Sequence, residues 1–158
     1  MGTVTYPHAE VIEFVTKHFA AAKFNVKEPV PDFKEAVGRG KVIWAPLFIF
    51  LDYRGAELRR YLGYLPHDHF LAELRLVLGL AAMTHMKYQE ALEWFLSAVE
   101  KSPDSSAAPE ALFWAGAADY RIGGAQPMIA RWDDLIARYP GSTWATRADI
   151  IPPELRER

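Results

Sequence analysis

The C-terminal half of the chain repeats a pattern of glycine, aromatic residue and proline with a period of 37 residues. Three pairs of residues show this spacing: Gly79 and Gly116, Phe95 and Trp132, Pro103 and Pro140. A fixed period of roughly 20–50 residues is the signature of an array of similar supersecondary units, so it strongly constrains the fold. Apolar residues recur at helical spacing within each copy, and the proline ends the second of two helices. The pattern predicts helices over residues 67–84, 88–101, 108–122 and 127–139.

The first copy of this pattern resembles the tetratricopeptide repeat, a helix–turn–helix unit of about 34 residues. The matching residues are Leu78, Gly79, Ala82, Ala91, Phe95, Ala98 and Pro103. Small residues would let two helices approach closely, and the aromatic ring would fill the remaining gap. The second copy is weaker, because Met128 and Leu135 replace small residues. The alternative is an ordinary packing of four helices in which the spacing is coincidental.

Tetratricopeptide arrays bind partners along the inner face of the first helix of each repeat, and the resemblance assigns residues to that face. They are Glu73, Leu76, Leu80, Met83 and Thr84 in the first copy, and Glu110, Phe113, Ala117, Tyr120 and Arg121 in the second. Met83, Phe113, Tyr120 and Arg121 would make an apolar and cationic groove for a peptide or helix of a protein partner. The alternative is that these side chains only pack the core. Four tryptophans are expected to fill gaps between helices: Trp94, Trp114, Trp132 and Trp144.

The N-terminal half combines helical and strand patterns. The predicted elements are a helix over 8–19, a strand over 21–26, a short helix over 32–37 and a β-hairpin with strands over 47–51 and 56–62. The first hairpin strand, LFIFL, is apolar throughout, which is typical of a strand buried on both faces. Asp52 to Gly55 supplies the turn residues between the two strands.

This order of elements resembles the C-terminal two-thirds of a thioredoxin-like domain over about residues 6–84. Pro46 would be the family's cis-proline, Gly55 lies in the hairpin turn, and Gly63 follows the last strand. The resemblance implies a cis peptide bond before Pro46 and a peptide-binding edge formed by Trp44, Ala45 and Pro46.

The chain lacks the family's first strand, first helix, second strand and Cys-x-x-Cys motif. Loss of the second strand would leave unpaired backbone groups inside the sheet, which is strongly unfavourable. Three arrangements would repair it: direct pairing of the flanking strands, insertion of residues 3–6, or strand exchange between two chains in a homodimer. A further alternative is that Met1 is an internal methionine of a longer chain whose Cys-x-x-Cys segment lies upstream.

The composition excludes several functions. Cysteine is absent, so this chain has no disulfide, no thiolate metal site and no thiol catalysis. The net charge of −2 gives no reason to expect a nucleic-acid partner. No segment is long and apolar enough to span a bilayer, and the N-terminal residues lack a signal-peptide pattern. We therefore expect a cytoplasmic protein with no membrane partner.

Candidate catalytic and metal-binding residues are few. His67 and His69 flank Asp68 at the predicted start of a helix, but side chains two residues apart on a helix diverge. A structural zinc site needs about four converging ligands, so capping of the helix by Asp68 is the expected role. No glycine-rich phosphate loop or serine–histidine–carboxylate arrangement is visible. The sequence therefore predicts no catalytic residue, no metal and no cofactor.

Together these patterns predict an α/β unit of truncated thioredoxin-like type followed by all-α, tetratricopeptide-like helical hairpins. The predicted domains are 1–84 and 72–143, which share the helix over 67–84, followed by a C-terminal tail over 144–158. The predicted function is a protein-interaction module without catalytic or redox activity. The alternative is the C-terminal part of a thiol–disulfide oxidoreductase whose Cys-x-x-Cys segment is missing from this chain.

Overall fold

A computed structural model describes residues 1, 3–25 and 44–156. The described elements are helices α1 (Ala9–His18), α2 (His67–Thr84), α3 (Tyr88–Lys101), α4 (Ala107–Gly123), α5 (Ala125–Arg138), α6 (Thr143–Ala148) and α7 (Pro153–Arg156), and strands β1 (Leu47–Leu51) and β2 (Glu57–Leu62). The chain divides into two compact units, Met1–Phe70 and Leu71–Arg158, and the boundary lies within α2. The layout is therefore a mixed helix and hairpin unit followed by a helical unit, as the sequence predicts in outline.

The predicted hairpin is confirmed in the first unit. Strands β1 and β2 are antiparallel, with Leu47 opposite Leu62 and Ile49 opposite Arg60. The Asp52 carboxylate closes the turn by accepting hydrogen bonds of 2.8 Å from the backbone N–H groups of Arg54 and Ala56. Gly55 has a φ of +82°, a backbone conformation that glycine adopts without the steric penalty of a side chain.

One face of the hairpin carries the aromatic core of this unit. Because side chains alternate between the two faces of a strand, Phe48 and Phe50 lie on the same face of β1. The Phe48 ring centroid lies 5.0 Å from that of Phe70 in α2 and 6.3 Å from that of Tyr6. The Phe50 ring meets Phe19, just after α1, at 6.2 Å. Burial raises the pKa of the Tyr6 hydroxyl above its usual range.

The N-terminal residues are joined to the segment that precedes α2. The fully buried Thr5 donates a hydrogen bond of 2.7 Å from Oγ1 to the carbonyl oxygen of Leu65. The N–H groups of Thr5 and Tyr6 both bond to the Met1 carbonyl at 3.0 Å, so residues 3–6 form a tight turn. The expectation that residues 3–6 insert as a strand is therefore wrong, because their backbone groups bond locally.

Replacing Thr5 with Val should lower the free energy of unfolding of the first unit by about 1–3 kcal/mol. The threonine and valine side chains have nearly equal shapes, but the buried carbonyl of Leu65 would lose its hydrogen-bond donor. Amide hydrogen exchange of β1 and β2 would measure the effect. Thr3→Val is the matched control, because Thr3 is exposed. Equal protection in the two variants would contradict the assigned role of this hydrogen bond.

The strand expected over 21–26 is not observed where the structure describes it. Residues 21–25 have no regular secondary structure, and Val26 lies outside the described residues, as does the short helix expected over 32–37. A strand forms only against a partner that exchanges backbone hydrogen bonds with it. Among the described residues the sheet contains β1 and β2 alone, so sequence preference at 21–25 finds no ladder to join.

In the second unit, the 37-residue period corresponds to a repeated contact between helices. A Cβ added at Gly79 of α2 would lie 2.3 Å from the ring of Phe95 in α3. A Cβ added at Gly116 of α4 would lie 2.3 Å from the ring of Trp132 in α5. In both helical hairpins, therefore, the first helix has a glycine at the contact, and the aromatic ring of the second helix fills the space beside it. This confirms the inference that small residues permit a close approach.

The four predicted helices of this unit are confirmed, with one difference at a boundary. The glycine pair was expected to form a longer turn before a helix that starts near residue 127. Instead α4 continues through Gly123 and α5 begins at Ala125, so Gly124 alone connects them with a φ of +85°. Pro127 falls in the first turn of α5, where a helix needs no N–H donor and tolerates proline.

The segment expected as a C-terminal tail contains helices α6 and α7. Ser142 caps α6 by accepting a hydrogen bond of 3.0 Å at Oγ from the N–H of Ala145. Ala145 and Ala148 are buried, so α6 packs into the unit through its small residues. The expectation of a C-terminal tail over 144–158 is therefore corrected, since a six-residue helix gives too short an apolar pattern to be recognised in the sequence.

Arg156 of α7 is bound by acceptors from three places in the second unit. Its guanidinium forms ion pairs with Asp133 of α5 and, at 2.9 Å, with Asp149. It also donates a hydrogen bond of 3.2 Å to the carbonyl of Ile151, whose side chain packs against the core. These contacts hold α7 against the helical unit.

Candidate functional site

Four rings from three helices meet in the second unit and form what we call the aromatic cluster. Its members are Phe113 and Trp114 of α4, Trp132 of α5 and Trp144 of α6. The Phe113 ring stacks on Trp132 with centroids 5.1 Å apart and planes 10° apart, and it meets Trp144 at the same distance. Trp114 lies 5.7 Å from Phe113 and 6.5 Å from Trp144. Phe113 therefore joins the helical core to the surface rings.

Burial differs among the members of the aromatic cluster. Trp132 is only 8% exposed, and its indole N–H donates a hydrogen bond of 3.0 Å to the Phe113 carbonyl. Phe113, Trp114 and Trp144 are half-buried, so each presents part of its ring to solvent. The indole N–H of Trp114 points to the Glu110 carboxylate at 3.4 Å. The cluster is thus anchored at Trp132 and open at the other three rings.

Arg147 lies at the edge of this open surface. Its guanidinium carbon is 4.4 Å from the centroid of the Trp144 ring, within the range of a cation–π interaction. Arg147 is exposed, and within 1, 3–25 and 44–156 no ion pair or hydrogen bond engages its side chain. Its neighbour Asp149 is instead paired with Arg156. The arrangement leaves guanidinium donors available to a ligand beside an apolar ring.

The other end of α4 carries Tyr120 and Arg121. Tyr120 is 52% exposed. Arg121 donates a hydrogen bond of 2.8 Å to the Tyr88 hydroxyl of α3, and its guanidinium carbon lies 4.9 Å from the centroid of that ring. Tyr88 therefore fixes the position of the Arg121 guanidinium, which remains at the surface.

The four residues of the predicted groove lie on α2 and α4. Met83 of α2 and Phe113 of α4 are both half-buried and pack against the core, and Phe113 also belongs to the aromatic cluster. Tyr120 lies two helical turns, about 10 Å, along α4 from Phe113. Of the remaining inner-face positions, Leu76 and Glu73 are buried and cannot meet a partner directly. Of the other positions, Thr84, Tyr120 and Arg121 are exposed, and the half-buried ones are Leu80, Met83, Glu110, Phe113 and Ala117.

The residues before the hairpin form a separate exposed region in the first unit. The Ala45-Pro46 peptide bond is cis, as predicted. Trp44 is 68% exposed and Tyr64 is 51% exposed. The carbonyl of Pro46 accepts a hydrogen bond of 2.9 Å from the N–H of Gly63, which continues the antiparallel register and places both aromatic residues at the open end of the hairpin. This region combines exposed aromatic side chains with an exposed Ala45.

Sequence reasoning missed the contribution of α6 to the candidate site. Trp144 was expected to fill a gap, and Arg147 lay in the expected tail. A signal was present: Ser142 and Thr143 can start a helix, and residues at positions i and i+3 share a helical face. Their spacing would have placed Trp144 and Arg147 together, although not beside Phe113.

The described part of the chain shows neither a metal cluster nor a membrane helix. Within residues 1, 3–25 and 44–156, no three histidine, aspartate or glutamate side chains converge as metal ligands would. The His67 ring stacks on His8, with centroids 3.9 Å apart, rather than pairing with His69 across Asp68. None of the described helices combines the length and the apolar character needed to cross a bilayer.

Comparisons with protein-family models, with curated proteins and with solved structures gave no match to this chain.

Proposed function

We propose that this chain is a protein-interaction module without catalytic or redox activity, and that it binds a peptide or helix of a partner along α4. The observation that carries this proposal is the half-exposed surface of the aromatic cluster, with Arg147 at its edge. Tyr120 and Arg121 lie farther along the same helix, near its C-terminal end. The partner would lie along α4 between these two groups of residues.

The residue types on this surface are those that dominate binding energy at protein interfaces. Trp, Tyr and Arg are enriched among the few residues whose truncation weakens binding by about 2 kcal/mol or more. Trp144 and Phe113 have little freedom to lose on binding, because neighbouring rings already pack against them. A preorganised aromatic surface therefore supports recognition at a low entropic penalty.

The chemistry of the chain supports binding rather than turnover. Thiol–disulfide exchange needs a thiolate, and the chain contains no cysteine. The exposed Trp44 and Ala45 and the half-buried Pro46 of the first unit then serve as a second protein contact, together with the exposed Tyr64. Backbone contact at such a segment is one of the recurring modes of peptide recognition.

A capture experiment tests the proposed function. The chain would be immobilised, and bound proteins from an extract of the source cells would be quantified by mass spectrometry. We expect the double variant Tyr120→Ala, Arg121→Ala to retain about a tenth or less of the captured partner, since about 1.4 kcal/mol corresponds to tenfold.

The matched control for this experiment is Tyr53→Ala, which removes a tyrosine that is 75% exposed in the hairpin turn. It should leave capture unchanged, because it lies outside both proposed contact regions. Unaltered capture by the double variant would refute the role of the C-terminal end of α4. Capture by neither the wild-type chain nor any variant would refute the function itself.

A further inference from the structure

The geometry of α6 points to a more specific ligand, and this inference rests on the proposed function. We propose that Trp144 and Arg147 recognise an acidic–apolar peptide segment: a carboxylate binds the Arg147 guanidinium while a neighbouring aliphatic side chain packs on Trp144 and Trp114. The occupant is thus a partner segment with Glu or Asp next to Leu or a similar residue. Three observations support this choice.

The first observation is the unpaired cation. Among the described residues no carboxylate lies within ion-pair distance of Arg147, although other arginines of this unit have such partners. Arg131 pairs with Asp119 at 2.9 Å, and Arg138 pairs with Asp134 at 3.4 Å. An exposed arginine beside an apolar surface is therefore complementary in charge to an acidic ligand.

The second observation is the position of the guanidinium over the Trp144 ring. When the guanidinium stacks on a ring, its face is occupied while its N–H groups at the edge remain free to donate. Arg147 lies 4.4 Å from the Trp144 centroid, so the ring restricts its motion and keeps those donors beside the aromatic surface. A carboxylate can then accept two parallel hydrogen bonds from one guanidinium, which is stronger than a single neutral bond.

The third observation is the apolar surface next to this cation. The Trp144 and Trp114 rings are in contact, with centroids 6.5 Å apart, and both residues are half-buried, so part of each remains open to an aliphatic side chain. The indole N–H of Trp144 has no acceptor among the described residues, and it can donate to a peptide carbonyl. Asp149, two residues beyond Arg147 in the sequence, is paired with Arg156, and Glu110 of α4 faces the Trp114 indole. Neither neutralises Arg147.

Binding of labelled peptides to the full chain tests this proposal. The probe is a fluorescein-labelled peptide with a central Glu-Leu-Glu-Leu segment between Gly-Ser flanks. Matched peptides carry Gln or Lys in place of Glu, or Ser in place of Leu. Fluorescence anisotropy would give each dissociation constant. We expect the acidic peptide to bind about tenfold more tightly than the Gln peptide, since a charge-assisted hydrogen bond contributes about 1.5–3 kcal/mol.

The variants assign this preference to particular side chains. Arg147→Gln, at an exposed position, should reduce the preference for Glu over Gln to about twofold or less, while Arg147→Lys should retain part of it. Lys101→Gln is the control, because it removes an exposed charge at the end of α3. Trp144→Phe should weaken the acidic and the Gln peptide alike.

The outcomes separate this inference from the proposed function. Equal affinity for the Glu and Gln peptides, or an undiminished preference in Arg147→Gln, would overturn the acidic–apolar ligand. If partner capture still depended on Tyr120 and Arg121 in that case, the interaction module would stand without it. Light scattering tests whether a second copy of the chain occupies this surface instead. A dimer of the wild-type chain that Arg147→Gln dissociates would identify that copy as the ligand and overturn the proposal.

Discussion

Phe95→Ala is expected to lower the free energy of unfolding of the helical unit by about 3–5 kcal/mol. The Phe95 side chain is fully buried, and its ring packs against the backbone of Gly79, where a Cβ would lie only 2.3 Å away. Truncation removes apolar surface from the core and leaves a cavity between α2 and α3. Urea denaturation followed by far-ultraviolet circular dichroism would measure the change.

Two further variants test whether the loss of stability comes from the packing of Phe95 against Gly79. Ile122→Ala removes a side chain that is 49% exposed, so it should change the free energy of unfolding by about 0.5 kcal/mol or less. Gly79→Ala should destabilise the wild-type chain, because the new methyl group overlaps the Phe95 ring. In the Phe95→Ala background the same change should stabilise by about 1 kcal/mol, since the space is open and Ala favours a helix over Gly. The same sign in both backgrounds would contradict this account.

The second large effect is expected for Gly116→Val, which should destabilise the helical unit by about 1–3 kcal/mol and also weaken ligand binding. A Cβ at Gly116 would lie 2.3 Å from the Trp132 indole nitrogen. To make room, that indole must move, which disturbs its hydrogen bond to the Phe113 carbonyl and its stack on the Phe113 ring. Valine favours a helix over glycine by only a few tenths of a kcal/mol, so this gain offsets a small part of the loss.

Tryptophan fluorescence and denaturant unfolding would measure the two consequences of Gly116→Val. Gly141→Val is the matched control, because a Cβ at Gly141 has no heavy atom within 4 Å and its backbone does not require glycine. Adding Trp132→Leu to Gly116→Val should restore part of the lost stability by removing the overlapping ring. A stable Gly116→Val chain with unchanged fluorescence would refute the close packing of α4 on α5.

The sequence alone predicted the elements whose signals are local. Apolar periodicity and the glycine and proline boundaries predicted α2 to α5 and the hairpin of β1 and β2, because such preferences act within one or two turns of backbone. The paired spacing of Gly79 with Phe95 and of Gly116 with Trp132 even indicated which side chains meet. In contrast, strand preference at residues 21–25 was not sufficient, since a strand depends on a partner elsewhere in the chain.

The candidate surface was only partly predictable. Phe113, Tyr120 and Arg121 could be named from the register of a helix, but register does not distinguish a side chain facing the core from one facing a groove. Met83 and Phe113 show this, since each is half-buried and packs against the core. Trp144 reaches the rings of α4, with Arg147 beside it, because α6 packs against the unit through Ala145 and Ala148.

Amino-acid order therefore determined helices α1 to α5, the hairpin turn and the absence of any thiol, all of which follow from individual residues and their near neighbours. Among the described residues, tertiary structure alone decided which aromatic rings remain open and which arginines find a carboxylate. Those properties depend on distances between residues far apart in the chain, and such distances are set when the helices pack rather than by any local preference.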